Sequence, residues 1–278
     1  MRRGGTGFAL ACAALAVVTL AFLALPIVAL FAHTSPGRLV NQLSSPVVRD
    51  AFLVSLKTSV VAQLLILVFG TPTAYLIATR RFRGRAAAIT LVELPLVLPP
   101  AVAGIGLLAA FGRAGLLGSS LRALGVTLPF TQAAVTIAVA YVASPLYVRQ
   151  AIAAFEATDP SLAAASRTLG AGPARTFFRV VLPLARGGLL AGLALSFARG
   201  LGEFGATIMF AGSLQRVTQT LPLAIYSEFA VNFNATLAMS GVLVLVSVIL
   251  LFALRIGLSW QGSPSRRSSF LFGPSASA

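Results

Sequence analysis

The sequence predicts an all-α integral membrane protein, a bundle of six transmembrane helices with both termini on the cytoplasmic side. Three observations carry this. Of its 278 residues, 58% are hydrophobic and only 10% charged, where a soluble domain carries about 25% charge. Six apolar runs, at 8–32, 55–79, 86–110, 130–155, 188–212 and 236–258, reach the about 20 residues that a helix needs to cross a bilayer. The 21 Lys+Arg, against 6 Asp+Glu, bracket those runs unequally.

The runs are helices because lipid offers no partner to backbone amides, so only helices or closed barrels cross it. Barrel strands alternate in polarity, and these runs do not. The first, Phe8 to Ala32, spans 25 residues, longer than the about 7–15 of a signal-peptide core. It reads as an uncleaved first helix, followed by an external loop to residue 50. Cys12, alone in that run, offers neither a disulfide nor a metal site within one chain. It reads as a small apolar side chain.

Arginine sets the orientation. With the N-terminus inside, 14 arginines fall on the inner side: Arg2, Arg3, Arg80, Arg81, Arg83, Arg85, Arg149, Arg167, Arg175, Arg179, Arg186, Arg255, Arg266 and Arg267. The outer side receives 5: Arg38, Arg49, Arg113, Arg122 and Arg216. That asymmetry follows the positive-inside rule. His33, the only His, then reads as a solvated external residue.

The third run carries Pro95, Pro99 and Pro100, then Gly104 and Gly106. Each proline removes a backbone donor, and Pro100 disfavours helical geometry at Pro99. The freed groups must face protein or water, so a pore-lining kink is expected ahead of a plain bend. Glu93, about two turns from the cytoplasmic end, is a partner for interfacial arginines.

Between the fourth and fifth runs lies "EATDPSLAAASRTLGAGPARTFFRVVLPLARGG" (156–188). Asp159-Pro160 is a helix start, since Asp accepts from the free amides of a first turn and Pro suits the first position. Gly170 is a stop, where positive φ costs nothing. A short helix of about 160–169 is expected, with Leu162, Ala165 and Leu169 sharing one face. Pro173 then starts a second, with Phe177, Phe178 and Val181 inward and Arg175 and Arg179 outward, which Pro183 ends. Ala163, Ala164 and Ala165 form a smooth knob, better suited to a protein cleft than to phosphates.

This segment resembles the cytoplasmic motif of ABC-importer permeases: Glu-Ala-Ala, three residues, Gly, nine residues, an aliphatic residue, any residue, then Leu-Pro. Ala164-Ala165-Ser166, Gly170, Val180, Leu182 and Pro183 stand at that spacing, with Ala164 in place of Glu and Ser166 in place of the second Ala. The resemblance covers 51–258 as a type I importer transmembrane domain. It implies coupling helices at 159–183 that sit in a groove of an ATPase subunit. Asp159, Ala164, Ala165, Ser166, Arg167, Gly170, Leu182 and Pro183 would form the docking set.

Three further stretches, "LVELPLVLPPAVAGIGLLAAFG", "SFARGLGEFGATIMFAG" and "TQTLPLAIYSEF", resemble the molybdate permeases within the sulfate/molybdate/tungstate group. "GEFGAT" followed by "TQTLPLAIY" favours molybdate over sulfate. The resemblance implies a permease subunit of an ATP-driven molybdate importer, with a sulfate or tungstate permease as the alternative. Its partners would be a second copy of itself, two cytosolic ATPase subunits that hold the ATP and Mg, and an extracytoplasmic oxyanion-binding protein.

In the fifth run Ala194, Ala198, Gly202 and Ala206 recur every four residues, a stripe for close helix packing. Arg199 and Glu203 stand four apart. A lone charge mid-membrane costs about 2.5–3.5 kcal/mol. They therefore form either a pair that locks the bundle or part of a path or gate. A fixed carboxylate repels an incoming dianion, so Glu203 holds geometry or gates. Pro99, Pro100, Arg199, Glu203, Phe204, Gly205 and Thr207 are the residues expected along the path or at its gate.

Other classes find little support. Lys57, the one Lys, has Leu56 where a phosphate-binding loop needs Gly, so the chain is expected to bind no ATP or other cofactor itself and to be no enzyme. Neither zinc-finger spacing nor a basic-aromatic stripe points to nucleic acid. A stand-alone secondary transporter or channel would need no docking knob and should show more intramembrane ionisable residues. The polar end, 259–278, is expected to be disordered.

Overall fold

The computed structural model describes residues 4–33, 37 and 44–259, and every regular element among them is helical. The expectations for the tail beyond Ser259, and the placement of Arg2, Arg3, Arg38, Arg266 and Arg267, lie outside the described residues.

Helix α1 (Gly4–Ala32) is apolar all round and its stretch Gly7–Ala32 buries no residue, as suits a lipid-facing span. Helix α2 runs Pro46–Thr79. Ser45 caps it, its Oγ accepting from Val48 N–H at 3.3 Å, and Pro46 takes the first position. One wide turn interrupts it, a π-turn at Ile66–Gly70 immediately before Thr71-Pro72. The extra residue accommodates the missing N–H and the ring of Pro72 without breaking the helix.

The third expected span is not a kinked helix. α3 (Arg85–Val97) and α4 (Pro100–Phe111) meet at 116°. Leu98 and Pro99 are extended, with ψ 133° at both. Consecutive prolines take two donors from one turn, so the ladder is lost outright rather than bent. After the short α5 (Gly118–Ala123), α6 (Gln132–Glu156) runs back through the bundle, capped by Thr131.

α7 (Pro160–Thr168) is the first of the two short helices expected on the cytoplasmic side. The second does not end at Pro183. From Pro173 one helix, α8, continues to Leu201, with a second π-turn at Phe177–Val181 just before Leu182-Pro183. The wide turn absorbs Pro183 as the first absorbs Pro72. The fifth span also stops sooner than expected: the chain turns at Gly202–Phe204 and re-forms as α9 (Gly205–Ala211). α10 (Leu221–Glu228) and α11 (Phe233–Ser259) complete the chain. Among the described residues four helices are long and apolar enough to span, five with the broken α3–α4 pair, and the sixth expected span coincides with a shorter apolar stretch, Phe233–Ile249.

A small-residue stripe does pack α8 against α6, but two positions away from the expected one. A Cβ on Gly188 would lie 2.5 Å from Ala154 Cβ, one on Gly192 2.9 Å from Gln150 Cβ, and one on Gly200 2.9 Å from Val139 Cγ1. Ser196, fully buried, completes the four-residue period. Gly202 and Ala206 fall outside α8 because the helix has already ended. Around this crossing, Ile77, Tyr147, Val148, Phe155 and Leu189 form a core. A second, of Val135, Val139, Leu107, Ala206 and Phe210, joins α4 and α9 to α6.

Candidate docking and translocation sites

The segment between α6 and α8 is built by local chemistry. Asp159 Oδ1 accepts from Ser161 N–H at 2.9 Å, capping α7. Those hydrogen bonds from Ser161, backbone first and side chain second, hold the Asp159 carboxyl below its ordinary value. At the other end Gly170 takes φ +83°, and Gly170 N–H and Ala171 N–H donate to Arg167 O and Ser166 O at 2.9 and 3.1 Å. This pair of bonds is the Schellman closure. Ser166 Oγ lies 3.2 Å from Thr176 Oγ1 and pins α7 to the start of α8.

Leu162, Ala165 and Leu169 turn out of the protein: Leu162 is 45% and Leu169 87% exposed. The half-buried positions are Ala163 and Ser166. Phe178, expected inside, is 64% exposed, while Phe177 packs edge-on to Tyr75 with ring centroids 4.7 Å apart. Val181 is buried and Arg175 and Arg179 face outward, as expected. The wide turn rotates Phe178 away from the side that Phe177 and Val181 share.

Asp159, Ala164, Ala165, Arg167 and Gly170 therefore stand exposed on one short segment, with Ser166 beneath them. Leu182 and Pro183 belong instead to the body of α8, beyond its π-turn. Two ion pairs tie α3 to α6 at this end: Arg85 Nη2 to Glu156 Oε1 at 2.6 Å, and Arg149 Nε to Glu93 Oε1 at 3.1 Å. The second gives Glu93 the arginine partner expected of it.

Deeper in the bundle, Arg199 Nη1 lies 2.8 Å from Glu203 Oε2. The other carboxylate oxygen of Glu203 accepts from Ala206 N–H at 2.8 Å, so Glu203 also caps α9. Its side chain is only 1% exposed, against 33% for Arg199. A Cβ on Gly205 would lie 2.5 Å from Pro100 Cβ, so the turn after α8 sits directly on the break between α3 and α4. Pro99, Pro100, Arg199, Glu203 and Gly205 are thereby gathered at one place. Phe204 packs on Tyr226 instead, with centroids 5.1 Å apart. Thr207 is fully buried in α9, its Oγ1 without a hydrogen-bond partner among the described residues.

Two polar links were not anticipated. Gln63 Nε2 donates to Ser196 Oγ at 3.2 Å, and Thr71 Oγ1 lies 2.6 Å from Tyr147 OH. A glutamine inside an apolar run was the available signal for the first, because a polar side chain in a span needs a partner.

Multiple apolar helices, a span broken at consecutive prolines and an exposed helical elbow on the arginine-rich side define a membrane-embedded transport subunit. The chain belongs to the family of binding-protein-dependent transport system inner membrane components, whose family model matches residues 66–258. It is a multi-pass inner-membrane protein with the fold of a type I ABC importer permease. It is 40% identical over 234 residues to the Molybdenum transport system permease protein ModB of Mycobacterium tuberculosis, covering 84% of this chain and 89% of that protein. It is 44% identical over 179 residues to the protein of the same name from Escherichia coli K12, covering 64% of this chain and 78% of that one.

Among solved structures, a chain of the bacterial alginate ABC transporter, in complex with its alginate pentasaccharide-bound periplasmic protein, superposes with a TM-score of 0.68 at 17% identity, covering 91% of this chain and 93% of that chain. An inward-facing MetNI methionine ABC transporter chain superposes with a TM-score of 0.62 at 18% identity, covering 78% of this chain and 97% of that one. At such identities these likenesses establish the fold.

Proposed function

We propose that this chain is the permease subunit of an ABC importer for molybdate. The observation that carries the substrate is the 40% identity to a molybdenum transport permease along 84% of this chain. Identity that extensive reaches well beyond the short motif that permeases share for coupling to an ATPase. Two copies of the chain line the pathway at their interface. An extracytoplasmic oxyanion-binding protein delivers the cargo.

Two cytosolic ATPase subunits, which hold the ATP and its Mg, dock on α7 and the start of α8. Support for that surface is its outward apolar face: Leu162 and Leu169 are exposed beside Ala164 and Ala165. An apolar face held away from its own core gains by burial in a partner's groove. Closure of the ATPases draws the two elbows together, and the helices swing as packed bodies between inward and outward access.

The test is reconstitution of the chain with its cytosolic partner, followed by ATP hydrolysis in the presence of binding protein loaded with molybdate, tungstate or sulfate. Stimulation by molybdate is expected. Stimulation by sulfate alone refutes the molybdate assignment, and the absence of any copurifying ATPase refutes the importer reading.

A further inference from the structure

We propose that Arg199 contacts the oxyanion during its passage, and that Glu203 is the positioning residue that aims it. The inference rests on the oxyanion-importer reading and adds to it the side chain that meets the cargo inside the membrane.

The break between α3 and α4 leaves a hollow of about 100 Å³, lined by Pro95, Leu96, Leu98, Pro100, Val142 and Arg199. Five of those six side chains are apolar, so Arg199 supplies all the side-chain polarity of the hollow. Its depth follows from helix rise. Leu98, directly after α3, stands 13 residues beyond Arg85, and Arg199 stands 13 beyond Arg186 on α8. At about 1.5 Å per residue each is about 20 Å from the cytoplasmic arginines, within a hydrocarbon core about 30 Å thick.

The two members of the ion pair are committed unequally. Glu203 uses one oxygen on Arg199 and the other on Ala206 N–H, and it is almost wholly buried. A guanidinium carries five N–H donors, and among the described residues Glu203 is the only polar partner of Arg199. Its remaining donors are free at a side chain still 33% exposed. A planar fork of N–H groups matches the oxygens of an oxyanion. With Glu203 beside it the pair is neutral overall, so what Arg199 offers an anion is directed N–H donors rather than net charge.

Glu203 explains why the cation stays in place between passages. It balances the charge of Arg199, so the bundle need not hold a lone charge. Its other oxygen, held by Ala206 N–H, fixes its place beside Arg199. Gly205, seated on Pro100, keeps that anchor against the broken span.

A purely structural pair and an anion contact predict different outcomes for one double variant. Arg199→Gln combined with Glu203→Gln replaces the ion pair with a neutral pair of similar size. It leaves an amide oxygen to accept from Ala206 N–H. Complexes of this variant, of Arg199→Lys and of the unaltered chain are assembled with the ATPase and binding protein in proteoliposomes, and molybdate uptake is followed. We expect the double variant to assemble and to lose uptake by about tenfold or more, the scale of a lost hydrogen bond to a charged group. Arg199→Lys should keep uptake with a raised KM.

Uptake by the double variant equal to that of the unaltered chain overturns the proposal. If the double variant does not assemble, Arg199→Lys decides: an unchanged KM and an unchanged preference between molybdate and sulfate also overturn it. An unaltered complex that imports no oxyanion sinks the substrate reading, and this inference with it.

Discussion

Thr71 Oγ1 and Tyr147 OH stand 2.6 Å apart, and this one hydrogen bond ties the residue just after the π-turn of α2 to the middle of α6. The π-turn of α8 faces the same place. Thr71, Pro72, Tyr147, Phe177, Leu182 and Leu189 line a common apolar cavity of about 600 Å³. Both long helices thus relax their ladders beside one tyrosine, each one residue ahead of a proline. Tyr147→Phe should leave membrane insertion intact and cost about 1 kcal/mol of stability. Thermal unfolding of the solubilised protein reads this, and an unchanged midpoint would show that the contact holds nothing.

The crossing of α6 and α8 depends on glycine at Gly188 and Gly192, where an added Cβ would meet Ala154 Cβ at 2.5 Å and Gln150 Cβ at 2.9 Å. Gly192→Val should force the helices apart and destabilise the bundle by about 1–3 kcal/mol. Gly187→Val is the control, since a Cβ there meets nothing within 4 Å. Equal effects of the two, measured as retained folded fraction after mild heating, would refute this account of the crossing.

At Gly170 the constraint is conformational rather than steric: φ is +83°, yet a Cβ would touch nothing within 4 Å. Gly170→Val should loosen the turn between α7 and α8 by about 1–2 kcal/mol, the usual cost of left-handed geometry in an L-residue. Gly170→Asn should be milder, because Asn tolerates that region. Copurification of the ATPase subunit is the readout. The ranking Gly, then Asn, then Val is expected, and any other order counts against the turn's role.

The cap at Asp159 sets a pH dependence. Its carboxyl is held below its ordinary value by hydrogen bonds from Ser161. The sign for a lowered carboxyl is that the stabilisation is complete above the unfolded value, about 3.9, and is lost as pH falls through the folded one. Asp159→Ala should weaken ATPase association at neutral pH. In the unaltered chain the contribution of the cap should persist across pH 5–8, a window wholly above the about 3.9 of the unfolded carboxyl. A difference between the unaltered chain and Asp159→Ala that already vanishes by about pH 5 would contradict this, since the carboxyl is still ionised there.

Several features are legible in the sequence alone because they depend on one residue and its immediate neighbours. Asp159-Pro160 starts a helix and Gly170 stops it. The consecutive prolines disrupt the third span. Two readings failed. Pro183 looked like a terminator, yet a wide turn carries the helix past it. Leu162, Ala165 and Leu169 do share one face, and it turns outward while Ala163 and Ser166 lie half-buried. The small-residue stripe had the right period and the wrong register, because periodicity names a spacing without saying which of four rows meets a neighbour.

The sequence by itself determined that the chain belongs in a membrane and which family it resembles, and its arginines predict which side the elbow lies on. Hydropathy, charge asymmetry and motif spacing are all properties of the linear order. Only the tertiary structure decided that Gly188, Gly192, Ser196 and Gly200 are the row that meets α6, and that Glu203 leaves α8 to cap α9 while holding Arg199. Those outcomes depend on where helices end and how they cross. Crossing is settled by mutual packing of side chains distant in sequence, which no local preference encodes.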